Sequence, residues 1–274
     1  MNRFKSGFGA GNSGMNSIAV FSMKGGTGKT TLSGSLGWGL AEQGRRVLMI
    51  DMDPQGHLSQ LFKARAIKGR TQLYDSLIHE RPLAETIVPA SHPNLSLIPA
   101  TEDHFNLNTA LLSTPWKEWK LKDALYAMNP FPYDVVVIDL GASLSLSTYV
   151  ALFAARILII PVLPDLLSYL SLKSLFTFLD KTCKYYKFVF DMIWVLMNRV
   201  NSHRPLDREN KKALEKYYKR FLMPVAVRED LKFSEAARER MVINSYAPES
   251  TGARDMERVA QFLGRYIPGV ASGK

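Results

Sequence analysis

Six short apolar runs, separated by helix-length stretches, constrain the fold of this chain more than any other feature. They are SIAVFS (17–22), RVLMID (46–51), LSLIPA (95–100), DVVVIDL (134–140), RILIIPV (156–162) and DMIWVLMN (191–198). Runs this continuous in Val, Ile and Leu belong to strands covered on both faces, which is the habit of a parallel sheet. Between them, helical periodicity predicts helices over 29–43, 101–112, 117–128, 144–155, 168–187, 207–221 and 249–266. Strand–helix alternation of this kind predicts an α/β fold, a single doubly wound, mainly parallel sheet flanked by helices. No Pro/Gly/Ser linker or repeat interrupts it, so one domain is expected over 17–267. A polar, glycine-rich leader (1–16) and a short tail (268–274) flank that domain. No run of about 18 apolar residues is present to span a bilayer. Cys183, the one cysteine, rules out an internal disulfide, suits a reducing compartment and reads as a buried structural thiol. The five histidines lack zinc-ligand spacing, so no metal cluster is expected.

The first run leads into MKGGTGKT and then TLSGSLGWGLAEQG, giving strand, glycine loop and helix in succession. That is the context a phosphate-binding loop requires. The common loop, G-x-x-x-x-G-K-[ST], would place its first glycine at position 23, where Met23 stands, followed by a second lysine, Lys24. Gly25, Gly26 and Gly28, with Thr27 between them, let backbone N–H groups curl round phosphate oxygens. The helix beginning at Lys29 adds its positive end, with Thr31 in its first turn. Lys29 is placed to reach the β/γ-phosphates, and Thr30 to offer its hydroxyl to Mg2+. Asp139 ends a hydrophobic strand, either as a solvated carboxylate or as the holder of a Mg2+-bound water. Asp51 and Asp53, two residues apart in extended chain, are expected to point the same way, toward metal and attacking water. GTP-binding proteins read guanine with an N-K-x-D carboxylate; here MNRVN puts Asn201 at that place, which favours ATP.

Together K-G-G-x-G-K-[ST]-T, D-x-D-P-Q-G and the strand ending in Asp139 resemble the ParA/Soj/MinD group of deviant phosphate-loop ATPases. DPQG (53–56) and KFSEAARERMVINSYAPES (232–250) resemble the ParA/Soj branch in particular. The resemblance covers about Ser17 to Phe262. It departs at DLGASLS (139–145), where many relatives have two prolines, and no N-terminal helix-turn-helix domain is expected. It implies ATP and Mg2+ as cofactors and an ATP-sandwich homodimer. Lys24 would match the signature lysine that crosses to the partner's nucleotide. Asp53 would position the attacking water, Asp51 would sit in the Mg2+ shell, and Asn198 and Pro248 would contact adenine. It further implies slow ATP hydrolysis stimulated by a ParB-like or cargo-adaptor protein, non-specific DNA binding, and a cytoplasmic, nucleoid-associated protein that positions a cargo.

The formal net charge is +10, a surplus that suits a polyanionic partner and equally serves solubility. Residues 198–240 hold twelve Lys/Arg against seven Asp/Glu. In DRENKKALEKYYKRF, Leu214, Tyr217, Tyr218 and Phe221 form an apolar stripe, leaving Arg208, Lys212, Lys216 and Lys219 on a solvated face. The family resemblance turns that face, with Arg228 and Lys232, into the expected DNA contact, made to phosphates without base readout. A MinD-like membrane-cycling ATPase is the alternative. The final helix pattern is broken by Pro268 and Gly269, so no stable membrane association is expected. A metabolic or metal-insertion ATPase is the other alternative, and it usually needs a cysteine pair.

Overall fold

The structure, a computed structural model, describes residues 15–267. Of the flanking segments, 1–14 of the leader and the whole tail with Pro268 and Gly269 lie outside the described residues. Seven strands form one sheet: β1 (Ser17–Val20), β2 (Val47–Asp51), β3 (Val88–Pro89), β4 (Leu95–Ile98), β5 (Val135–Asp139), β6 (Ile157–Val162) and β7 (Met192–Met197). Their order is β3-β4-β2-β5-β1-β6-β7, parallel throughout except for the β3–β4 pair. β3 was not expected; two residues carry no periodicity, and Pro89 is tolerated because β3 is an edge. The six expected strands are all present, each with core on both faces.

Alternation along each strand divides the interior into two layers. Ala19, Leu48, Ile50, Val136 and Ile138 face one layer, and Ile18, Val20, Met49, Val135 and Val137 face the other. The second layer is closed by the helices Lys29–Glu42 and Thr251–Gly264. They approach closely because a Cβ at Gly39 would stand 2.8 Å from the Ala260 Cβ. The strand order places the carboxyl ends of β1, β2 and β5 side by side. In register, Val20 and Asp51 both pair with Asp139. Crossovers leave on opposite faces at this point, which opens a crevice at the strand ends where ligands bind in open α/β sheets.

The helices differ from expectation mainly at their ends. The segment 101–112 becomes helical only at His104, and 117–128 splits into a 3-10 turn, Lys117–Trp119, and a helix, Lys120–Tyr126. The basic helix runs Pro205–Tyr218, with proline in its first turn where a missing N–H costs nothing. Short helices at His57–Leu61, Leu73–Ile78, Lys232–Arg238 and Ile243–Tyr246 were not expected; none is long enough to develop a readable period. Cys183 is half-buried rather than buried, and burial pushes its thiol up to about 11, which keeps it unreactive at neutral pH. Among the described residues no helix is long and apolar enough to cross a membrane.

Candidate nucleotide site

The glycine loop leaves β1 and closes against the end of β7. Gly28 has φ 87°, and a Cβ there would come within 2.5 Å of Asn198 Nδ2, so glycine alone fits. Asn198 donates from Nδ2 to the Thr27 carbonyl (2.8 Å) and accepts the Arg199 N–H at Oδ1 (2.9 Å). Its carboxamide thereby braces the loop. Lys29 is 9% exposed and its Nζ donates to the Lys24 carbonyl at 3.4 Å. Burial pushes this ammonium below its usual range, while Asp139 and Asp53 oppose the shift. Beside the loop lies a pocket of about 170 Å3 lined by Thr31, Asn198, Arg199, Leu231 and Phe233. Pro248, expected at the base, is exposed and does not line it.

Three carboxylates converge on this loop, and the structure gives them different tasks. Asp139 is fully buried; its Oδ1 accepts Ser33 Oγ (2.7 Å), and its Oδ2 is buried without a hydrogen-bond partner. The Thr30 side chain reaches the same carboxylate. A buried oxygen left over beside a threonine hydroxyl fits a hard cation such as Mg2+. Asp51 is also fully buried, but its oxygens are taken: Oδ2 accepts Ser59 Oγ (2.6 Å) and Ser59 N–H (2.8 Å), and Oδ1 accepts Asp53 N–H (3.2 Å). It anchors the turn after β2, so of the two buried carboxylates expected near the metal, Asp139 is the one that keeps an open oxygen. Burial raises both pKa values; the Asp51 and Asp53 charges push Asp139 up further, and the Asp53 charge does the same to Asp51.

Asp53 does not point with Asp51. It is partly exposed and faces the turn after β5, where a Cβ at Gly141 would stand 3.4 Å from its carboxylate. Asp53 thus sits at the mouth of the site, where water enters, while Asp51 is enclosed beneath it.

Lys24 is neither free in solvent nor turned into its own loop. Its Nζ donates to both carboxylate oxygens of Asp165 (2.8 and 2.7 Å) and to Ser168 Oγ (3.2 Å). Asp165 caps the helix Leu166–Tyr186, accepting the Ser168 N–H at 2.7 Å. Partial burial alone would raise the Asp165 pKa, yet the Lys24 and Ser168 bonds hold it below the usual carboxylate range. Sequence reasoning missed Asp165; the readable signal was PDLLS, an N-cap carboxylate before an apolar helix.

The AAA_31 family model, described as an AAA domain, matches residues 15–192, which include the loop, Asp51, Asp53 and Asp139. The cell division protein PomZ of Myxococcus xanthus is 37% identical over 85% of this chain and 73% of its own. The sporulation initiation inhibitor protein Soj of Bacillus subtilis is 30% identical over 86% and 93%. The chain belongs to the ParA/MinD family of ATPases. Among solved structures, the cobyrinic acid a,c-diamide synthase of Mycobacterium smegmatis with bound ATP analogue and magnesium superposes with TM-score 0.77. It is 25% identical and covers 92% of this chain and 96% of that one.

Within this ParA/MinD chain, the expected DNA residues separate into two kinds. Lys212, Lys216 and Lys219 are exposed and, with Lys211, border a groove of about 690 Å3 floored by Met223, Val225 and Ala226. Lys216 lies over the Tyr217 ring, 5.4 Å from its centre. Tyr217, expected in the apolar stripe, is itself 56% exposed. Lys232 is exposed and pairs with Glu235 at 2.6 Å, a local contact that water and salt readily exchange. Arg228 differs. Its Nε and Nη2 clamp Asp255 (2.8 and 2.7 Å), which is 2% exposed. Its guanidinium is held by a buried partner, although the side chain stays half exposed.

Proposed function

We propose that this ParA/MinD-family chain is a partition or positioning ATPase of the ParA/Soj type. ATP and Mg2+ are its cofactors. Lys29 and the loop N–H groups hold the phosphates, Thr30 and Asp139 hold the metal, and Asp53 orients the attacking water. Mg2+ held by Thr30 and Asp139 would supply positive charge against the transferring phosphoryl group. Asp51 and Asn198 keep the two loops in shape. Lys24 completes the site of a second copy, so that nucleotide joins two chains and hydrolysis lets them part. The joined pair binds DNA through the Lys211–Lys219 face, and a partner protein that stimulates hydrolysis releases it, in the cytoplasm over the nucleoid.

One observation carries this reading. The loop holds two lysines, and only Lys29 is turned into it; Lys24 rests on an exchangeable carboxylate at the rim. A cation placed there meets phosphate oxygens only across an interface. Relatives named for cell division, sporulation control and chromosome partitioning support the positioning role.

Pairing doubles the phosphates met at once. With about 3 contacts per chain, the salt dependence of log affinity steepens from about −2.7 to about −5.4 on pairing, at about −0.9 per contact. Fluorescence anisotropy on two unrelated duplexes, with ATP or ADP across a salt series, tests this. Tight, sequence-independent binding with ATP alone is expected; equal binding in ADP would overturn the reading.

A further inference from the structure

His104 is the one buried histidine among the described residues, 1% exposed, and none of the roles above uses it. It opens the helix His104–Leu112. Its Nδ1 accepts the Thr101 N–H at 3.0 Å, with Thr101 Oγ1 3.2 Å away. An imidazole that accepts at Nδ1 carries its proton on Nε2 when neutral. Burial lowers its pKa, in the same direction as the acceptor role of Nδ1. That Nε2 is buried without a hydrogen-bond partner, and the Asp51 backbone lies close enough to the ring to oppose the lowering of its pKa. A buried donor left short of an acceptor is costly unless something meets it.

The segment carrying His104 already grips the same turn at two other points. The Ala100 N–H donates to Ser59 Oγ (3.0 Å), the hydroxyl that holds Asp51. Gly56 packs on Ala100, where an added Cβ would stand 3.5 Å from the Ala100 Cβ. Pro99–His104 is thus a cradle for the turn that bears Asp53, touching it at Gly56, Ser59 and Asp51. Only the His104 contact is left incomplete.

We infer that His104 is a positioning residue for hydrolysis, its Nε2–H meeting the Asp51 carbonyl as the turn tightens and so setting where Asp53 holds water. This rests on Asp53 having the hydrolytic role. His104 lines neither the glycine loop nor the pocket beside it, so nucleotide affinity is not expected to depend on it. Misplacing a reacting group by about 1 Å costs up to about 100-fold in rate without touching binding.

Phosphate release across an ATP titration, with DNA present and the full chain, tests the inference. His104→Leu is expected to lower kcat about 10-fold or more while KM stays nearly unchanged. His104→Gln puts an amide N–H where Nε2–H stood and should recover most of the rate. His104→Asn reaches only as far as Nδ1, keeps the Thr101 contact and should stay slow. Unaltered kcat in His104→Leu would overturn the inference. So would Asn and Gln variants that slow equally and in step with lost thermal stability. If the leucine variant does not fold, the Gln–Asn contrast alone decides. Asp53→Ala runs alongside: wild-type hydrolysis there would sink the Asp53 assignment and this inference with it. An inactive Asp53→Ala beside an unaffected His104→Leu would sink this inference only.

Discussion

The loop end of the sheet and the Pro205–Tyr218 helix both carry several lysines, and they use them in opposite ways. At the loop, each charge has an address: Lys29 against the Lys24 carbonyl, Lys24 on Asp165, Asp51 under Ser59, Asp139 on Ser33. On the helix, Lys212 and Lys219 are exposed and make no ion pair among the described residues, and the nearest order is Lys216 over a tyrosine ring. The first arrangement fixes atoms to tenths of an ångström and suits chemistry. The second builds a field, which suits a partner whose charges repeat and whose sequence does not matter. A single substitution should therefore break the first completely and only weaken the second.

The largest effect expected is at Lys24. Lys24→Ala removes a charge-assisted contact across the proposed interface, worth about 1.5–3 kcal/mol per bond, and so should weaken ATP-dependent pairing roughly 10- to 100-fold. Nucleotide binding should persist, because Lys29 remains. Asp165→Ala should do the reverse: it frees Lys24 from its resting partner and should leave pairing equal or tighter, at some loss to the Leu166–Tyr186 helix from the missing cap. Light scattering in ATP separates the two. If both variants pair alike, Lys24 has no role across an interface, and the contrast between addressed and diffuse charge fails at its strongest point.

Asp139 gives a second, smaller test, with the sign set by its raised pKa. A carboxyl whose folded value lies above its unfolded value stabilises the fold fully at pH below the unfolded value. That contribution is lost as pH rises through the folded value. Without nucleotide, the protein should therefore be more stable near pH 5 than near pH 8, and Mg2+ with ATP should narrow the gap. Asp139→Asn removes the buried charge and should flatten the dependence; each 1 kcal/mol gained at pH 8 would raise Tm by about 2–4 °C. The same variant should lose Mg2+-dependent nucleotide affinity. A Tm of Asp139→Asn that falls as steeply with pH as the wild type's would assign the effect to another group, with Asp51 the first candidate.

What could be read from the sequence divides along the same line. Strands with apolar residues on both faces declare themselves, because a parallel sheet allows no polar face. The phosphate loop declares itself because backbone approach demands glycine and phosphate demands Lys29 and Thr30. Partners far apart in the chain do not. Lys24 and Asp165 are 141 residues apart, and neither position predicts the other. Ser59 and His104 were unread because a serine or histidine has no pattern of its own; only the fold puts them near Asp51. Asp51 and Asp53 were expected to point together from strand geometry, but the strand ends at Asp51, and the turn that follows rotates Asp53 outward. The Arg228 clamp went unread for the reason opposite to the loop's success. In a basic segment every arginine looks alike, and only the buried Asp255, 27 residues on, distinguishes this one.

Arg228 therefore supplies the finest test of the comparison, set against a pair of helix lysines. Lys212→Ala with Lys216→Ala removes two exposed cations from the groove and leaves the fold untouched. If each meets one phosphate, the pair loses two contacts for every lysine removed per chain, so the magnitude of its salt slope should fall by about 1.8 for each. Binding weakens in proportion on any duplex, with ATP-dependent pairing preserved. Arg228→Ala should change the DNA slope little. It leaves the Asp255 carboxylate, 2% exposed, with the Arg228 backbone N–H (3.0 Å) and a long contact from Arg258 (3.6 Å). Loss of a charge-assisted bond to so buried a group should cost roughly 1–3 kcal/mol of stability, visible as a lower denaturation midpoint. The two variants thus move different observables, slope for the lysines and midpoint for the arginine. An Arg228→Ala protein of normal stability but flattened salt slope would return Arg228 to the DNA face. It would also show that a charge can hold a fixed address in the fold and still act as part of the field.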